Sequence, residues 1–200
     1  VIYQYRMYSD GHSCFPYSSP GMKEIYGVTP EEVREDATPV FGRVHPEDYD
    51  FIVSSIMESA RTLELYHSEF RVILPGIGLQ WRLCEAKPER MEDGGTLWYG
   101  IITDITERKI TEHLLKESEY FFKESQRAAA VGSYNFDLNS NYWTSSEVLD
   151  QIFGISDQYS RTLEGWLEIA HPDEREMMSR YFVEEVIANH ISFNKEYRII

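Results

Sequence analysis

Residues Val1 to Met7 alternate Tyr3, Tyr5 and Met7 with polar Gln4 and Arg6, the period of two that marks a strand with one buried face. Ser9-Asp10-Gly11 then supplies turn chemistry. Thr29-Pro30-Glu31-Glu32 sets a hydroxyl at the N-cap, proline at the first helical position and a carboxylate at the third, which predicts a short helix. His45-Pro46-Glu47-Asp48 repeats that logic, and Tyr49, Ile52, Val53, Ile56, Met57 and Ala60 follow at helical spacing, giving an amphipathic helix of about four turns. Tyr66 to Leu74, Gln80 to Lys87 and Leu97 to Ile105 read as three strands, joined by Pro75-Gly76 and Asp93-Gly94-Gly95. Short connections make them an antiparallel meander. The order strand, helices, three strands predicts an α+β fold with helices on one face of an antiparallel sheet.

Glu107 to Arg127 contains neither Gly nor Pro and is rich in Glu, Lys, Leu and Phe, so a helix of about five or six turns is expected. Leu115, Phe122 and Ala129 are spaced by seven, as are Leu114 and Phe121, while Ser118 and Ser125 dilute the seam.

Beyond this helix the pattern returns. Ile25-Tyr26-Gly27, His45-Pro46-Glu47-Asp48 and Glu69-Phe70-Arg71-Val72-Ile73 recur in the same order as Ile152-Phe153-Gly154, His171-Pro172-Asp173-Glu174 and Glu196-Tyr197-Arg198-Ile199-Ile200. A period this long is domain-sized, well beyond a solenoid unit. The reading is two tandem copies: a first domain at 1–106, a connecting helix at 107–130 and a second domain at 131–200. The second copy stops at the equivalent of Ile73, so it is expected to be truncated, to lack its C-terminal strands and to be the weaker domain.

Composition narrows the partners. The 200 residues hold 19 Lys and Arg against 34 Asp and Glu, a net charge of −15, which repels nucleic acid and anionic lipid surfaces. No long apolar run predicts direct membrane insertion, and Val1 to Tyr8 lacks the features of a signal peptide. Cys14 and Cys84 form no CxxC pair and fit a reducing, cytoplasmic compartment.

Little here points to catalysis. His45 and His171 each precede a proline and two acidic residues, the pattern of helix initiation. No zinc spacing occurs, so no metal is assigned. Gly76-Ile77-Gly78 is a hairpin turn without the third glycine and helix of a phosphate loop. What remains is an apolar space between sheet and helices. Strand alternation and helix phase nominate Tyr3, Tyr5, Ile25, Tyr26, Phe41, Ile52, Ile56, Phe70, Val72, Trp81, Leu83, Tyr99 and Ile101 as its lining, or simply as a solid core. Asp104 and Thr106 stand where the last strand hands over to the helix, placed for signal transmission, with Thr106 also suited to be the N-cap.

Together, Tyr26-Gly27, His45-Pro46-Glu47-Asp48, Glu69-Phe70-Arg71, Trp81, Gly100 and Asp104-Ile105-Thr106-Glu107-Arg108 resemble the PAS family, in particular its bacterial sensory subclass. Trp143, Phe153-Gly154, Trp166, His171-Pro172-Asp173-Glu174 and Glu196-Tyr197-Arg198 carry the resemblance into the second copy. The resemblance implies a five-stranded antiparallel sheet with helices on one face. It also implies a cytoplasmic sensory and dimerisation module, a homodimer paired through the PAS domains and the connecting helix, coupled to a C-terminal output domain. The parent is expected to be a sensor histidine kinase of a two-component phosphorelay, whether or not it is anchored in a membrane elsewhere. A diguanylate cyclase and a ligand-free interaction scaffold are the alternatives. His113 lacks the proline that follows a kinase phosphoacceptor, and neither cysteine lies in the Asn-Cys-Arg-Phe run of the flavin-adduct subclass. The cofactor is open: noncovalent flavin, haem, a small metabolite, or none.

Overall fold

The computed structural model describes residues 1–200, which divide into two units, Val1–Leu115 and Lys116–Ile200. In the first unit β1 (Ile2–Met7) and β2 (Ser13–Ser18) form a hairpin. Four helices follow: α1 (Met22–Tyr26), α2 (Pro30–Val33), α3 (Thr38–Phe41) and α4 (Pro46–Thr62). Then come β3 (Tyr66–Leu74), β4 (Gly78–Arg90) and β5 (Thr96–Asp104). The sheet is antiparallel throughout, in the order β2-β1-β5-β4-β3. Pro16 lies within β2, where an edge strand tolerates a missing N–H.

Local chemistry sets the helices. Thr29 and Glu32 form a reciprocal capping box at α2, and Gly27 ends α1 with φ 69°, a left-handed turn that glycine adopts without strain. His45 caps α4 through Nδ1, which accepts the Glu47 N–H at 3.3 Å. The His45 N–H donates to the Arg71 carbonyl at 2.9 Å, and the Asp48 carboxylate accepts the Arg71 N–H at 2.8 Å. This joint fixes α4 to β3.

The second unit begins within α5 (Thr106–Ala129), which spans the predicted connecting helix. It contains the hairpin β6 (Tyr134–Asp137) and β7 (Tyr142–Ser145), then α6 (Glu147–Phe153), α7 (Leu163–Ile169), a 3-10 turn at Pro172–Glu174, α8 (Arg175–Tyr181) and a π-helical stretch at Phe182–Ala188. Trp143, Val148, Leu149, Ile169, Met178 and Phe182 form its buried interior. The Arg161 guanidinium, also buried, pairs with Asp150 at 2.8 Å. Glu196 to Ile200, which match β3 in sequence, form only an isolated bridge between Ile199 and Ala170; no strand lies beside them to complete a ladder.

Candidate functional site

In the first unit the inner sheet face and the helices enclose a cavity of about 50 Å³. Seven nominated residues line it: Tyr3, Tyr5, Tyr26, Phe41, Ile52, Ile56 and Phe70. Phe15, Val40, Val44, Tyr66, Cys84, Trp98 and Ile102 complete the wall. Val72 is fully buried but lies off the cavity, and Ile25 packs against the core from its margin.

Trp81, Leu83, Tyr99 and Ile101 do not line it. The inward positions of β4 and β5 are Arg82, Cys84, Ala86, Trp98, Gly100 and Ile102, so Tyr99 and Ile101 are exposed on the opposite face. The phase was misread because a charge, Arg82, occupies an inward position and apolar Trp81 and Leu83 flank it. Gly100 fixes the register physically: a Cβ there would stand 2.5 Å from the Glu85 carbonyl oxygen and 2.8 Å from the Tyr3 ring.

The cavity's polar groups are phenols, one thiol and the Trp98 indole, whose N–H already donates to Ser59 Oγ at 3.0 Å. Tyr3 Oη lies 2.8 Å from Cys84 Sγ in a buried pair. Burial pushes the Cys84 thiol up to about 12, and it raises the Tyr3 and Tyr26 phenols well above their ordinary value. All three are therefore neutral hydrogen-bonding groups near neutral pH. A space of this size holds a few waters, at ~10–15 Å³ each, and no histidine lines it. Packed this way, the residues fit neither an isoalloxazine nor a porphyrin. No group of three or more His, Cys, Asp and Glu side chains is gathered as a metal site.

Arg82, which the sequence reading passed over, ties this cavity to α5. Its side chain is 1% exposed. Nη2 donates to the Ile25 carbonyl at 2.7 Å, one residue before cavity-lining Tyr26, and Nη1 lies 3.0 Å from Asp104 Oδ2. The other Asp104 oxygen accepts the Thr106 N–H at 2.9 Å and the Thr106 hydroxyl at 2.6 Å. Burial opposes ionisation of Asp104, but the Thr106 hydrogen bonds and the Arg82 charge outweigh it and hold the carboxyl below its ordinary value. Thr106 itself is not the N-cap: it is the first residue of α5, its hydroxyl accepts the Trp81 N–H at 2.9 Å, and Asp104 supplies the carboxylate at the helix start. Glu69 completes the joint by pairing with Arg108 and Lys109, each at 2.6 Å.

Residues 15–102 match the family described as "PAS fold". That segment is a PAS domain. The chain is 27% identical over 197 residues to the uncharacterized protein y4lL of Sinorhizobium fredii (strain NBRC 101917 / NGR234), covering 90% of this chain. It spans only 23% of that relative's length. Among solved structures, a sensory box histidine kinase/response regulator from Burkholderia thailandensis E264 is 21% identical, with a TM-score of 0.48 over 62% of this chain and 91% of that one. The N-terminal domain of a diguanylate cyclase with PAS/PAC sensor from Marinobacter aquaeolei is 17% identical, with a TM-score of 0.45 over 55% of this chain and 99% of that one. The matched segment holds Arg82, Ile25 and all of the cavity lining except Tyr3 and Tyr5, and β5 leads from it into α5. No helix of the chain is long and apolar enough to cross a membrane.

Proposed function

We propose that the chain is the tandem PAS input region of a cytoplasmic sensor histidine kinase, in which the state of the first domain's cavity is relayed through α5 to an output domain. The observation that carries this reading is the Arg82 bridge, because one buried cation holds both the Ile25 carbonyl beside the cavity and the Asp104 carboxylate at the helix start. A shift of Tyr26 must strain that bridge or move α5 with it. In the full-length parent, Asp104→Ala is expected to abolish the response of output activity to stimulus while circular dichroism shows the domain still folded. Unchanged output would sink the proposal.

A second copy in Lys116–Ile200 is supported by the repeat of the first unit's joint. His171 has φ −55° and ψ 136° against −58° and 136° for His45. Its N–H donates to the Arg198 carbonyl at 2.8 Å, and Glu174 accepts the Arg198 N–H at 2.7 Å. Homodimerisation is supported by Leu114, Leu115, Phe121 and Phe122, all exposed on α5. Sedimentation of a Leu114→Glu/Phe121→Glu variant should give a monomer where the parent sequence gives a dimer.

The small cavity favours a second reading, a ligand-free scaffold that sets only the geometry of pairing. A stoichiometric small molecule released on denaturation and identified by mass spectrometry would exclude it.

A further inference from the structure

Beside the cavity of the first unit lies an open groove of about 280 Å³, lined by Tyr49, Val53 and Met57 of α4 and by Met7, Gly11 and Ser13 of the β1–β2 hairpin. Tyr5, Phe41 and Ile56 line the groove and the cavity alike, so three side chains stand between the two spaces. Tyr5 reaches across: its ring packs 5.3 Å from Trp98 in the cavity wall and 5.7 Å from Phe41, while its hydroxyl interacts with Ser13 in the groove. Phe41 and Ile56 are only half-buried. Turning either to another rotamer breaks no backbone hydrogen bond.

Neither lining contains a charged side chain. An ionic ligand would lose its hydration with no counter-charge to replace it. A flat neutral ring would meet aromatic walls, and one hydrogen-bonding group on it would find the phenol and thiol of the Tyr3–Cys84 pair. Joined, the two spaces reach the lower end of the ~300–1,000 Å³ that ligand pockets occupy.

We propose that groove and cavity are two compartments of one site for an uncharged aromatic molecule bearing a single hydrogen-bonding group, with Phe41 and Ile56 as the gate between them. The inference rests on reading this domain as a ligand sensor, and it adds the ligand class and the route of entry. The test is methyl NMR of the whole chain, labelled at Ile and Met, titrated with indole and, separately, with benzoate. Indole is expected to shift the Ile56 and Ile102 methyls together, and benzoate to bind at least tenfold more weakly. Phe41→Ala is expected to speed indole association at least tenfold, and Ile56→Ala serves the same purpose from α4 if the first variant folds poorly. Shifts confined to Met57 would mean surface adsorption and overturn the site. Equal binding of benzoate would overturn the ligand class. Shifts at Ile102 with association rates unchanged in both variants would overturn the gate and leave the sensor reading standing. No shift at Ile102 in any of the three proteins would overturn both, while relay through Asp104 stays separately measurable as output activity.

Discussion

The two units share a joint and differ in what stands behind it. In each, a histidine caps a helical turn through Nδ1 at 3.3 Å, and an acidic side chain clasps an arginine in the segment opposite. Behind His45 lies a five-stranded sheet whose inner face buries Tyr3, Tyr66, Phe70, Trp98 and Ile102. Behind His171 only a two-stranded ladder forms, and Tyr134, Ile191 and Ile200 stay exposed. A cap needs only a few neighbouring residues to supply its hydrogen bonds. Burial of a core needs partners that are distant in sequence, and a lone hairpin is marginal in water.

Equivalent truncations should sharpen this contrast most. Phe70→Ala should cost about 3–5 kcal/mol of first-unit stability, because Phe70 is 5% exposed in the large core. Phe182→Ala in the second unit should cost clearly less, since far fewer apolar side chains are buried together there than in the first unit. Hydrogen exchange resolves the two: amides of β4 and β5 should lose protection in the first variant and keep it in the second. Equal losses would mean that the second unit has a core as cooperative as the first.

Breaking the Arg82 bridge comes next. Arg82→Ala leaves the Ile25 carbonyl and Asp104 without their cation and should cost about 1.5–3 kcal/mol, the range for hydrogen bonds to charged groups. Chemical denaturation of the whole chain measures it, with the loss expected in the first unit's transition only. A neutral result would mean that the buried guanidinium merely offsets its own desolvation.

The effect that vanishes near neutral pH is the pH dependence at the alkaline end. Burial raises the Cys84 thiol from an ordinary 9.0 to about 12, so the folded state holds its proton more tightly than the unfolded chain. The stability this provides is complete below the ordinary thiol value and is lost as pH rises through the window up to about 12. The first unit's melting temperature in Cys84→Ala should therefore fall less steeply across that window than in the parent sequence. At the acid end the units should behave alike. Asp48 is lowered chiefly by hydrogen bonds from Arg71, and Glu174 by those from Arg198. Both contributions are present above the ordinary carboxylate values and are lost as pH falls through the depressed ones.

Much of the fold was legible because its signals are local. Thr29, Pro30 and Glu32 name a helix start without reference to anything distant, and β3 was bounded correctly by its alternation and by Pro75-Gly76. β2 was not read as a strand, since Pro16 interrupts it and only its edge position makes that tolerable. Half of the cavity lining was legible for the same local reason. Tyr3 and Tyr5 alternate in a strand whose polar residues are plainly polar, whereas Tyr99 and Ile101 were assigned to the wrong face.

The sequence by itself determined the helix starts at Thr29 and His45, the turns, and the order of β1, the helices, β3, β4 and β5, because each depends on chemistry within a few residues. Tertiary structure alone decided which face of β4 and β5 is inside. That choice depends on whether a guanidinium can be buried, and Arg82 can be buried only because Ile25 and Asp104, far from it in sequence, arrive to accept its hydrogen bonds.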